Sequence, residues 1–401
     1  MTSRTQPVER RDGDRNSLPD RSGFLGALAH WCACSVVTIC VHGLVGCASG
    51  PSREPAPGLT PMEARALIGR AMPPNVPDRN GWATDIYAAL ATLQIAPTPQ
   101  AVCAVVAVTE QESTFRTNPP VPGLAAIAWR EIDGKADRAG IPRLVVHTAL
   151  KLTSPDGKSY SDRIDAATTE RDLSRIFDDI VGTLPLGERL LGKWNPVRTA
   201  GPMQVSIRYA ENHAHDKTYP YPMTGSIRDE VFTRRGGLYF GIAHLLDYPV
   251  SYDSLIYRYA DFNAGHYASR NAAFQSAVGM ASGIPLELDG DLVAYDRDAS
   301  QGPGSTELAI RTLAKRLDID DAAIRRALEQ GQTQGFERTT LYERVYELAD
   351  RTAHRPLPRA LLPQIALHSP KITRHLTTEW FARRVHERHQ RCLTRATSDA
   401  A

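Results

Sequence analysis

The sequence predicts a mostly α fold, α+β in class, on three observations. Two helix starts are written out as cap-and-proline pairs, Thr60-Pro61 and Thr98-Pro99. The run from Ala101 to Val108 is apolar on every side, as a helix buried all round must be. Downstream, the stretches 229–248, 254–262, 305–317 and 320–329 each carry the apolar spacing of a helix.

Composition narrows the function classes before any motif is read. The 401 residues have room for two or three domains. With 42% apolar and 23% charged residues the chain is an ordinary globular protein, neither disordered nor multi-spanning. Lys plus Arg 47 against Asp plus Glu 45 leaves +2, too little for a nucleic-acid binder, so no nucleic-acid partner is expected. Of six cysteines, four (Cys32, Cys34, Cys40 and Cys47) crowd into the amino-terminal segment. Cys103 and Cys392, far apart, cannot form a disulfide scaffold, and no spacing suits zinc.

That segment is an address. Residues 24–46 are mostly apolar and follow Arg4, Arg10, Arg11, Arg15 and Arg21. Leu44-Val45-Gly46-Cys47 resembles the lipobox of bacterial lipoproteins, in which the cysteine thiol receives a diacylglycerol. The resemblance implies cleavage before Cys47 and a membrane partner reached through the lipid on Cys47. With no Asp behind Cys47, it also implies an outer-membrane location facing the periplasm. The competing reading is an uncleaved span, for which about 20 apolar residues suffice; His30 and His42 argue against it. The expected division is then 1–47 signal and lipobox, 48–60 linker, 61–283 main domain with an insertion over about 116–200, and 284–401 a small helical carboxy-terminal region.

In chain order, Thr60-Pro61-Met62-Glu63 is a capping box, and its helix stops before Pro73-Pro74. A second helix is expected from about Trp82 to Ile95, and Thr98-Pro99 opens the third. At about 100° per residue Glu112 falls on the stripe of Ala101, Val105 and Val108, while Glu110 points to the opposite face. A carboxylate ending a buried helix is costly unless it is paired, protonated or opens into a cleft. Residues 154–157 (Ser-Pro-Asp-Gly) form a turn. Gly157-Lys158-Ser159 mimics a phosphate loop, but Leu152 stands where that loop needs glycine. Residues 371–395 hold seven Lys/Arg and two acids and read as a solvated helix, with contact to anionic lipid or glycan as the second reading.

Three short motifs follow one another: Glu112-Ser113-Thr114-Phe115, Gly201-Pro202-Met203-Gln204-Val205-Ser206 and Phe262-Asn263-Ala264-Gly265. Together they resemble the three signatures of the lytic transglycosylase branch of the lysozyme superfamily. Arg235 to Leu246 is similar to that family's helix leading into the third motif. The chain also resembles an uncharacterised family of Gram-negative lipoproteins known only as a domain of unknown function. The first resemblance implies a lysozyme-like domain that cleaves the β-1,4 bond of peptidoglycan glycan strands without a cofactor or metal. Glu112 would be the acid, then the base that activates the sugar's own C6 hydroxyl; Ser113, Met203, Gln204, Tyr259, Phe262 and Asn263 would bind substrate.

The chemistry fits the residue types. A leaving glycosidic oxygen needs a proton while an oxocarbenium-like sugar forms, and a partly desolvated carboxyl holds that proton at neutral pH. No second carboxylate stands in any motif, although Asp261 beside the third keeps a two-carboxylate, water-using muramidase open. Phe262 replaces the family's tyrosine, with Tyr259 or Tyr267 as substitutes, and 113–200 is longer than in typical members. Both departures motivate a rival reading, a catalytically silent peptidoglycan-binding lipoprotein. Each residue also has a structural reading: Glu112 a helix-end ion pair, Ser113 a cap, Asn263 and Gly265 a turn, Met203 and Phe262 core. His213 and His215 lack a third ligand nearby and read as surface residues. Cys103 is either apolar filler or the partner of Cys392.

Overall fold

Helices begin in this protein where side-chain oxygens meet the first free amides. In the computed structural model, which describes residues 58–183, 195–293, 302–367 and 376–398, Thr60 and Glu63 cap α1 (Pro61–Ala71) reciprocally. The expected signal segment, Cys47 and the expected linker up to residue 57 lie outside the described residues. Helix α2 spans Arg79–Thr92, three residues earlier than its apolar pattern suggests, because Asp78 caps Gly81 from a left-handed backbone at φ 49°. Helix α3 (Pro99–Ser113) is capped by Thr98, and Val102 through Thr109 are fully buried.

The stretch 116–183, part of the expected insertion, folds around a small core of its own. Helices α4 (Leu124–Arg138), α5 (Arg143–Ala149), α6 (Tyr160–Ala166) and α7 (Glu170–Thr183) gather Leu124, Tyr160, Ile164 and Ile176. The chain then forms an antiparallel hairpin of two-residue strands, β1 (Thr199–Ala200) and β2 (Val205–Ser206), with Thr199 opposite Ser206 and Ala200 opposite Val205.

Helices α8 (Ile207–Asp216) and α9 (Ile227–Val231) lead to α10 (Arg234–Leu246). The single helix expected over 229–248 is thus broken at Thr233, whose hydroxyl caps Gly236 and begins a new helix. Helix α11 spans Leu255–Ala264 and α12 Ala268–Ser282. The first core joins α1, α2, α3, α10 and α11. The second joins α12 to α13 (Ser305–Thr312), α14 (Ala314–Leu317), α15 (Asp321–Leu328) and α16 (Thr340–Ala353).

The last helix, α17 (Thr378–Thr397), does not stay with that second core. It returns to α3 and α11, burying Phe381, Ala382, Val385 and Cys392 in the first core. The 284–401 stretch is therefore divided between the two cores, and α17 is a half-buried helix rather than a solvated one. Its apolar residues recur every three to four positions and need a partner; its cations face outward or toward Glu110. Cys103 and Cys392 are bonded, with Cα atoms 5.5 Å apart, which settles the alternatives left open for Cys103.

Candidate active site

Glu112 occupies the last turn of α3 and is half-buried, beyond eight residues that see no water. It is engaged with neighbouring groups. Ser113 is 4% exposed; its hydroxyl donates to the Thr109 carbonyl at 3.1 Å and accepts from the Arg116 amide at 3.3 Å, so it closes the helix end. Thr114 and Phe115 both adopt left-handed backbone, at φ 49° and 59°. Two such non-glycine residues in succession cost roughly 1–2 kcal/mol each. Burial of the Phe115 ring, 3% exposed and edge-on to Trp82 at 5.3 Å, offsets that cost. On the opposite face Glu110 draws Arg388, Arg391 and Arg395 of α17 to 3.5, 3.9 and 3.8 Å.

The second motif is the turn of the β1–β2 hairpin. Gly201 sits at φ +75°, and a Cβ there would stand 2.3 Å from the Val231 carbonyl, so only glycine fits. Gln204, at φ 51°, donates its side-chain amide to the Gly201 carbonyl at 3.2 Å and accepts the Thr199 hydroxyl at 3.2 Å. It braces the turn. Met203 is fully buried. It lies on Gly241 of α10, where an added Cβ would come within 2.6 Å of its sulfur, and Pro202 lies as closely on Gly237. Expected among the sugar-binding residues, Met203 belongs instead to the core, because the glycine face of α10 admits its whole side chain.

The third motif ends α11. Asn263 is exposed, and its side-chain oxygen accepts the Thr378 hydroxyl of α17 at 3.0 Å. Phe262 is 9% exposed, its ring 5.1 Å from that of His244. Tyr259, a second expected sugar contact, is also in the core: it is fully buried, 6.0 Å from the His389 ring, and desolvation holds its hydroxyl far above the usual tyrosine range. Tyr267 is 4% exposed beneath the Arg270 guanidinium at 4.3 Å. Neither tyrosine offers a hydroxyl at the surface near Phe262.

His244 and His266, which the sequence did not single out, fasten this motif to α10. His244 Nε2 meets the Phe262 carbonyl at 3.3 Å and His266 Nε2 meets the His244 carbonyl at 2.7 Å. A carbonyl only accepts, so both rings carry the proton on Nε2. The rings stack at 4.4 Å, with Tyr209 another 4.4 Å from His244. Burial, then the neighbouring His266, pushes His244 down to about 3, and burial lowers His266 as well. The only sequence signal was a histidine on the apolar side of a helix.

Asp261 is fully buried and accepts the Tyr248 hydroxyl at 3.1 Å, the Ser269 amide at 2.7 Å and the Tyr252 hydroxyl. Burial keeps its carboxyl above the usual range despite these donors. It is sealed from solvent and offers no second carboxylate at the surface beside the third motif. His213 is buried 3.7 Å from Asp247, whereas His215 faces solvent, so the two rings do not converge on an ion; only His215 is the surface residue both were expected to be. A cavity of about 230 Å³ is lined by Tyr252, Tyr257, Glu337, Tyr342 and Arg359. None of the motif residues lines it.

The structure gathers the motif-bearing elements about two helices. Helix α10 packs on α3 and α11 and carries the hairpin, and α17 packs on both α3 and α11. Among the described residues no helix is long and apolar enough to cross a membrane.

The chain is 53% identical over 359 residues to "Uncharacterized protein YaiW" of Escherichia coli (strain K12), covering 90% of this chain and 97% of that protein. No solved structure matches it. A family model described as "Protein of unknown function (DUF1615)" matches residues 75–395, and the chain belongs to that family.

Proposed function

We propose that the protein is a lipid-anchored lytic transglycosylase of the periplasmic face of the outer membrane, cleaving the β-1,4 bond between N-acetylmuramic acid and N-acetylglucosamine. The observation that carries the reading is Glu112 itself: a half-buried carboxyl in the last turn of an otherwise buried helix, followed at once by two strained left-handed residues. Strain of this kind concentrates at functional sites, and partial desolvation suits a carboxyl that must hold a proton. Glu112 donates its proton to the glycosidic oxygen as the bond to the anomeric carbon breaks. The resulting carboxylate then takes the proton of the muramic C6 hydroxyl as its oxygen closes on that carbon. Products are a free N-acetylglucosamine end and a 1,6-anhydro end, and Glu112 is again protonated. Asn263, the exposed side chain of the third motif at the end of α11, is assigned sugar contact on this reading.

Sealing of Asp261 favours this one-carboxyl scheme over hydrolysis. The Cys103–Cys392 bond is of a kind that persists in oxidising compartments, which supports the location expected from Cys47. One observation favours a second reading, a silent peptidoglycan-binding lipoprotein: Phe262 has no hydroxyl, and Tyr259 and Tyr267 are buried. Purified protein on isolated sacculi, with mass spectrometry of released fragments, decides. Anhydro ends are expected. Reducing ends would make the protein a muramidase, and binding without release would make it the silent form.

A further inference from the structure

The 116–183 stretch presents an apolar edge that none of the described residues covers. Helix α5 buries none of its residues. Its inner side is held by His147, whose ring nitrogen meets Asp133 at 2.8 Å and whose ring lies 4.7 Å from Trp129. This fixes Leu144 and Val145 outward, 78% and 57% exposed; Ile141 before the helix and Leu152 after it are 45% and 66% exposed. Leaving four large apolar side chains of one short segment in water is unfavourable unless a partner receives them.

Charge and tether choose the partner. Within the edge, exposed Arg143 is neutralised by Asp137 at 2.5 Å, whereas Arg138 and Lys151 on either side are exposed and outside the ion pairs among the described residues, so the surface carries apolar side chains about one closed ion pair and an unpaired cation at each flank. That is the pattern of an element lying in the interface of an anionic bilayer. Between Cys47 and residue 58 stand ten residues, which span at most about 35 Å when extended. If Cys47 is lipidated, the folded unit cannot leave the membrane surface.

We infer that the α5 edge is a second membrane contact: Ile141, Leu144, Val145 and Leu152 enter the headgroup–acyl boundary while Arg138 and Lys151 meet anionic headgroups. The contact rests on lipidation of Cys47 for its tether argument, and not on the catalytic reading.

The test uses residues 58–401, whose two helical cores are described above, so that no lipid is attached. Sedimentation with phosphatidylcholine vesicles, with and without phosphatidylglycerol, measures partitioning. The protein is expected to bind the anionic vesicles and to lose roughly tenfold or more with Leu144→Ser/Val145→Ser, and less with Lys151→Gln. Both positions are exposed, and an unchanged denaturation midpoint verifies the fold. Absence of wild-type binding, or equal binding by the double variant, would overturn the proposal. So would a lipid-free dimer, seen by sedimentation velocity, that the double variant disperses, since a second copy would then own the edge. Mass spectrometry of the mature amino terminus separately reports whether Cys47 is lipidated.

Discussion

Cys103 and Cys392 are bonded to each other across 289 residues of sequence, and the bond ties the last helix of the chain to the helix that ends in Glu112. Two weaker ties run parallel to it. Glu110 attracts three arginines of α17, and Thr378 at the start of α17 donates to Asn263. One helix thereby holds two of the three motif-bearing elements, so the position of Glu112 relative to Asn263 depends on residues more than a hundred positions downstream of either motif.

Opening the bond should cost stability first. Closing a loop of this length removes a large entropy from the unfolded chain, typically about 3–5 kcal/mol of stability in all. Cys392→Ala is expected to lower the unfolding free energy by that amount in denaturant titrations, and reductant should do the same to the wild type but not to the variant. An unchanged midpoint under reduction would contradict the role assigned to the bond.

Glu110 and Glu112 should separate cleanly. Glu110→Gln leaves Arg388 and Arg395 partly buried without their anion, so about 1–2 kcal/mol of stability should be lost with cleavage of sacculi retained. Glu112→Gln keeps shape but cannot shuttle the proton, so cleavage should fall by at least roughly a hundredfold with the midpoint little changed. Retained cleavage in the second variant would move the chemistry to another residue.

Much of this was legible locally. The Thr60–Glu63 box, the Thr98-Pro99 start and the opposed faces of Glu110 and Glu112 follow from spacing alone, because a helix start or a helix face is decided within a few residues. What spacing could not supply was partnership across the chain. The basic surface of α17 read as solvated, yet its apolar residues find α3 some 270 residues away. Met203 sits inside a motif, and Tyr259 just ahead of one, that suggests sugar contact, and only the glycine face of α10 and the return of α17 reveal that both are buried. Asp78 was missed as a cap because its left-handed backbone is rare for a non-glycine residue.

The glycine face of α10 makes its own prediction. In Gly237→Ala the new methyl would meet the Val231 carbonyl at 2.7 Å and Pro202 at 2.5 Å, backbone and ring that cannot yield. In Gly241→Ala it meets Met203, whose sulfur end can turn aside but whose Cβ, at 2.7 Å, cannot. The first substitution should cost about 2–3 kcal/mol and the second less, read as shifts of the denaturation midpoint. A neutral Gly237→Ala would mean that the second motif is not seated on α10 as described.

Acid should loosen the clamp between α10 and the third motif. His244, His266 and His213 all titrate in the fold below the usual histidine value, each chiefly through burial, His244 at about 3. Between roughly pH 6.5 and the folded values, the unfolded chain takes up protons that the folded chain refuses, so stability falls as pH falls through that window. Each histidine contributes up to about 1.4 kcal/mol per pH unit while fully inside it. Asp261 works against the trend, since its raised folded value makes the native state bind a proton first, while His389, lowered by burial like the other three rings, works with it. Denaturant midpoints at pH 7, 6 and 5 should therefore decline. His244→Leu should cost about 1 kcal/mol at pH 7 through the lost bond to the Phe262 carbonyl and make the decline shallower. If the variant declines as steeply as the wild type, His244 is not held neutral by its stacked surroundings, and the acid sensitivity belongs elsewhere in the fold.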